Sequence, residues 1–188
     1  MERTDALTSA GALRAWAVER KLLDKDDAVS ASDHHRAIET REALRTLLLA
    51  NNDVPDPGDG GRALSAVASR AGITLDFGAV GEAPRLVATA KGVDGVLATL
   101  LLAIYDASRS GEWHRLKACR EPTCQWAFYD HSRNQRSHWC TMSMCGGRAK
   151  ARAYRQRNAR TPPAASRAGD SPRMPPSAGG SLQVSTDP

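Results

Sequence analysis

The sequence predicts an α+β protein. A mainly helical N-terminal domain over 1–110 carries one short β-hairpin, a small β-hairpin-and-helix module follows over 112–158, and a disordered tail closes the chain over 161–188. Three observations predict this. Apolar residues recur at three- and four-residue spacing through most of the first 110 positions, the period of buried helix faces. Two short stretches, at 73–77 and 86–88, have instead the character of strands. Composition then changes twice: all four cysteines fall between 119 and 145, and a stretch rich in Pro, Ser, Ala and Gly without hydrophobic period follows from Thr161.

Each element has its own signal. Ser9 can cap a helix with Leu13, Trp16, Ala17 and Leu22 or Leu23 on its apolar side. Asp33 can cap a second, carrying Ile38, Leu44, Leu47 and Leu48. Asn51-Asn52, Pro55, Pro57, Gly58, Gly60 and Gly61 mark a loop. Residues 62–71 suit a short helix with Leu64, Val67 and Ala68 inward. Ile73, Leu75 and Phe77 alternate with polar residues, and Leu86-Val87-Ala88 answers them across a turn containing Gly78 and Gly81. Val93, Val96, Leu97, Leu100, Leu101, Ile104 and Tyr105 then predict the central core helix of the domain. The adjacent pair His34-His35 points about 100° apart on a helix, which is wrong for a metal and right for a surface.

Composition narrows the class. Of the 188 residues 41% are apolar, enough for a modest core. The longest apolar run, Val96 to Tyr105, is half the roughly 20 residues of a membrane span, so no membrane location is expected. No secretory signal is visible among the first fifteen residues, and a cytoplasmic location is expected. The net charge of +5 hides a division. Residues 1–108 carry a net −4, residues 109–160 a net +9, and residues 161–188 two charges of each sign. A basic block beside an acidic one points to a polyanionic partner for the block alone.

The cysteines sharpen that reading. Cys119, Cys124, Cys140 and Cys145 form C-x4-C-x15-C-x4-C. Two short pairs about fifteen residues apart are a strong zinc signal. Short loops converge each pair, and a hairpin brings the pairs together on one tetrahedral ion. Such an ion fixes a segment too small to fold on its own core. Two disulfides are the competing reading, and a reducing compartment disfavours them. Four thiolates fill the coordination sphere, so one structural Zn2+ is expected rather than a catalytic ion with an open position. Any of His114, His131 and His138 could replace a cysteine. Gln125 to Asp130 reads as a strand, His131 to Ser137 as its turn, and His138-Trp139-Cys140 as the returning strand of a treble-clef-like module. Trp126, Phe128 and Trp139 would form a miniature core around the metal.

After Cys145, residues 146–157 are rich in helix formers and arginine. Arg148, Arg152 and Arg155 fall on one face, with Lys150 and Arg157 on another flank. Such a helix can sit against phosphates or enter a major groove.

The segment over about 112–157 resembles the CGNR zinc finger family of bacteria. The resemblance rests on Lys117-Ala118-Cys119, Cys124-Gln125-Trp126, Phe128-Tyr129-Asp130, Ser132-Arg133-Asn134, Arg136, Trp139-Cys140, Met142, Cys145-Gly146 and Arg148 to Arg152. In that family the finger usually follows a helical ABATE domain. The resemblance implies a stress-response transcription regulator whose finger binds DNA. The family run Cys-Gly-Asn-Arg is Cys145-Gly146-Gly147-Arg148 here, which removes an amide but no metal ligand.

DNA is therefore the expected partner, through Arg133, Arg136, Arg148, Lys150, Arg152, Arg155 and Arg157. A zinc-stabilised RNA-binding or protein-interaction adaptor, with or without a redox-sensitive thiolate site, is the alternative. A palindromic DNA site would need a homodimer. No heptad seam specifies one, and no residue pattern identifies a small-molecule effector of the N-terminal domain. No nucleophile–base pair stands out, so no enzymatic activity is expected.

Overall fold

The computed structural model describes residues 5–55 and 58–160. The expected tail over 161–188 lies outside the described residues. Element order is α1 (Ala10–Glu19), α2 (Ala31–Ala50), α3 (Gly60–Arg70), β1 (Ile73–Asp76), β2 (Arg85–Ala88), α4 (Gly92–Arg109), β3 (Leu116–Ala118), β4 (Ala127–Tyr129) and α5 (Gly147–Arg160). A 3-10 turn at Trp113–Arg115 leads into β3, and a π turn at Met142–Gly146 leads into α5. The fold class is α+β, as expected.

Capping fixes where the first helices start. The Ser9 hydroxyl accepts from the Ala12 N–H at 3.1 Å. At α2 the cap is Ser30, three residues earlier than the expected Asp33. Asp33 instead completes a capping box, accepting from the Ser30 N–H at 2.8 Å while its own N–H donates to Ser30 Oγ. Asp33 and Asp94 both grip Arg36, which ties the start of α2 to the start of α4.

The core forms where α1, α2 and α4 meet. Leu13, Ala17, Leu23, Ala37, Val93 and Leu97 are buried together, with Trp16, Val29, Val67 and Val96 against them. Leu22 and Leu23 lie past the end of α1. The chain turns at Lys21, φ +57°, and that turn tucks Leu23 inward while leaving Leu22 exposed. Gly60 lets α3 approach α2: a Cβ there would stand 2.9 Å from the Ala43 carbonyl.

Two expectations change. The hairpin β1–β2 forms in the register Ile73↔Ala88 to Asp76↔Arg85. Its alternating apolar positions are nevertheless open, with Leu75 and Phe77 exposed. Helix α4 is only half a core helix. Its first two turns bury Val93, Leu97 and Ala98, while Leu100 and Tyr105 face solvent.

The third change concerns the finger. Strand β4 pairs antiparallel with β3, Leu116↔Tyr129 to Ala118↔Ala127, and not with His138–Cys140. The residues immediately before Cys119 supply the partner strand, so the hairpin closes around the first cysteine pair. His138 still joins the knuckle through its carbonyl, which accepts from the Arg120 N–H at 3.1 Å.

Candidate metal centre and basic surface

Cys119 leaves β3 directly, and its N–H donates to the Trp126 carbonyl at 2.9 Å. The Glu121 carbonyl accepts from the N–H groups of Cys124 and Gln125, which curls the chain back on itself. Cys140 and Cys145 flank the second turn, where the Thr141 carbonyl accepts from Cys145 and Gly146. Gly146 is tightly packed: a Cβ would lie 2.3 Å from Met142 Sδ, which would have to move, and 3.2 Å from the Trp139 ring. Gly147, where the family carries Asn, has room, with only the Met142 carbonyl at 3.9 Å.

All four sulfurs lie within 4.8 Å of one another. Cys124 Sγ is 3.7 Å from Cys140 Sγ, and Cys140 Sγ is 3.8 Å from Cys145 Sγ. A tetrahedron with metal–sulfur bonds of 2.3 Å has edges of about 3.8 Å. The sulfurs thus stand at coordination spacing and beyond the about 2.05 Å of a disulfide bond. Burial pushes the Cys119 and Cys145 thiols up, so four thiolates in this place need a cation among them. The cluster is a metal site.

The histidines do other work. His131 packs on Tyr129, with ring centroids 4.7 Å apart. His114 is exposed. Burial pushes the His138 pKa down, which favours a neutral ring whose Nδ1–H donates to Asn52 Oδ1 at 2.8 Å.

Asn52 is the residue at the site that no sequence signal marks as such. It is fully buried, and its amide donates to the carbonyls of Ala118 at 2.8 Å and His138 at 3.0 Å. Arg120 Nε donates to the Asn52 carbonyl at 2.6 Å, and the same guanidinium pairs with Asp53 at 2.9 Å. Asn51 donates to the carbonyls of Trp113 and Leu116. The turn that ends α2 therefore plugs into the metal knuckle. In sequence, Asn51-Asn52 carries only a turn signal.

Lys117 and Asp130 form a buried ion pair at 2.9 Å, their side chains 4% and 0% exposed. Burial opposes the Asp130 charge. Even so, the Lys117 ammonium, the Ser132 hydroxyl and the N–H groups of Ser132 and Ser137 hold its carboxyl well below the usual range. This network shapes the loop that carries Arg133 and Arg136, both exposed.

On α5 the cations divide. Arg152 makes two hydrogen bonds to Glu121, at 3.0 and 2.7 Å, and the Glu121 side chain is 2% exposed. Arg148 is exposed and lines a cavity of about 670 Å³ between the finger and α2, beside Arg41, Arg45 and Cys124. Lys150, Arg155 and Arg157 are exposed. Trp126 is half exposed and so is only partly committed to the expected miniature core.

A helical region locked onto a closed four-thiolate knuckle, with a cationic helix leaving it, defines the class: a metal-stabilised finger mounted on a helical domain. The chain belongs to the ABATE family, described as putative stress-induced transcription regulator, whose model matches residues 1–111. The model of the CGNR zinc finger matches residues 115–158. No curated protein matches the chain. Among the described residues no helix is long and apolar enough to cross a membrane.

Proposed function

We propose that this chain is a cytoplasmic, non-enzymatic transcription regulator that holds one structural Zn2+ on Cys119, Cys124, Cys140 and Cys145 and binds duplex DNA through the finger. The tetrahedral sulfur spacing carries the zinc assignment. Zinc favours a tetrahedral all-thiolate set, and four protein ligands leave no position for substrate. The DNA assignment is supported by the regulator family and by charge. Residues 109–160 carry +9, and the finger exposes Arg133, Arg136, Lys150, Arg155 and Arg157.

The test combines metal content with selection of duplexes from a random pool, read across a salt titration. The expected result is one zinc per chain, an enriched motif, affinity that falls steeply with salt, and loss of binding on chelation. Sedimentation of the complex reads whether one chain or two occupy the motif. One zinc with weak, salt-sensitive binding to every pool member would favour an RNA or protein adaptor instead.

A further inference from the structure

The arginine stripe of α5 is tied down at its middle: Arg152 is bound to the protein, while Arg148 and Arg155, one turn before and one turn after it, are exposed. At 100° per residue, Arg148 and Arg155 lie about 40° and 60° from Arg152 around the helix. Two observations anchor that side to the protein. Arg152 is held in bidentate fashion by the buried Glu121 of the first cysteine knuckle. Arg148, one turn earlier, is exposed and lines the mouth of the cavity beside Arg41 and Arg45 of α2. Ala149 and Ala153 are partly buried beside Arg152. Lys150, Tyr154 and Arg157 lie about 140–160° away, on the opposite side. All three are exposed, Tyr154 by 60%.

We infer that the Glu121–Arg152 pair is a clamp that sets the rotation of α5, so that Lys150, Tyr154 and Arg157 form the face that meets duplex DNA. The inference rests on the DNA reading above. Charge complementarity identifies the occupant: α5 has no acidic residue, and the outward face offers two cations astride one aromatic phenol. Lys150 and Arg157 take phosphates, and Tyr154 projects between them toward sugar and base. Arg152 is a positioning residue. A bidentate guanidinium–carboxylate pair has a fixed planar geometry, which suits it to fixing a rotation. Glu121 serves DNA binding despite its negative charge.

The salt dependence of binding to mixed-sequence duplex separates the two faces. A lost phosphate contact lowers the slope of log affinity against log salt by about 1. Lys150→Gln and Arg157→Gln are each expected to do so, whereas Arg152→Gln lowers affinity several-fold with the slope nearly unchanged. Tyr154→Ala weakens binding several-fold, also at constant slope. Glu121→Gln removes a negative charge and is nonetheless expected to weaken binding. The exchanged pair Glu121→Arg with Arg152→Glu recovers part of the loss. Amide exchange supplies a readout without DNA: Glu121→Gln and Arg152→Gln speed exchange along α5 with zinc retained, and Lys150→Gln does not. A slope change of about 1 for Arg152→Gln with none for Lys150→Gln and Arg157→Gln overturns the inference and leaves the DNA reading standing. Absence of salt-dependent duplex binding by the unsubstituted chain overturns both.

Discussion

Lys117 and Asp130 stand opposite each other in the finger with almost no water around them, and each satisfies the other. A buried pair is costly to assemble and costlier to break, because the remaining charge has no counter-charge and little solvent. Lys117→Met should therefore destabilise the metal-loaded finger by about 3–5 kcal/mol, read as a shift in urea midpoint. The same pair sets a pH dependence. The folded Asp130 carboxyl titrates below its unfolded value of about 3.9. Its stabilisation is complete above that value and drains away as pH falls toward the folded one. Below about pH 5, Asp130→Asn should lose less stability than the unsubstituted chain. The four thiolates are common to both proteins, so the difference between the two curves isolates Asp130. At this scale little was legible in advance. Asp130 reads as a turn residue and Lys117 as part of a basic block, and neither spacing nor charge announces that they meet.

The elements themselves follow closely from local chemistry, and their errors are instructive. Serine, threonine and aspartate all cap helices, so both Ser30 and Asp33 suit the start of α2. Reciprocal bonding decides between them, since only Ser30 lets Asp33 reach back to its N–H. Ser30→Ala should cost about 0.5–2 kcal/mol and lower the thermal midpoint, whereas Ser32→Ala, whose hydroxyl accepts from the exposed end of Arg36, should cost less. Strand pairing was less accessible. Gln125–Asp130 has the composition of a strand, and β4 lies within it, but composition is silent on which side its partner comes from. Leu116–Ala118 supplies that partner because the first cysteine pair brackets the hairpin. For α5 the periodicity marks a cationic stripe correctly. It does not say which face points outward, because that depends on Glu121, 31 residues away.

Across the whole molecule, the helical domain and the finger are joined by the α2 turn rather than by a covalent linker alone. Asn52 contributes an acceptor and two donor contacts to the knuckle, and Asn51 and Arg120 add to the seam. Asn52→Ala takes the side-chain donor from the Ala118 carbonyl and the acceptor from the His138 ring, at about 1–3 kcal/mol. Chelation removes the ion that holds the finger. It should reduce helix content through α5 and speed amide exchange in the last turn of α2, while the start of α2 keeps its protection. Leu13, Ala37 and Leu97 hold that start independently of the metal. Unchanged exchange around Leu49–Asn52 on chelation would refute the coupling.

The sequence by itself determined the helical character of the first domain, the hairpin between α3 and α4, and the four metal ligands. Its charge division marked the basic block, and its motifs pointed to the family. These are properties of short windows, where period, capping chemistry and cysteine spacing act within a turn or two of the chain. Only the tertiary structure decided that Asn52 seats the domain on the finger and that β3 pairs with β4. It also decided that Lys117 neutralises Asp130 and that Arg152 belongs to Glu121 before any partner arrives. Each of these joins residues that the fold brings together, and burial fixes each one: a polar group removed from water takes the nearest partner that the fold supplies.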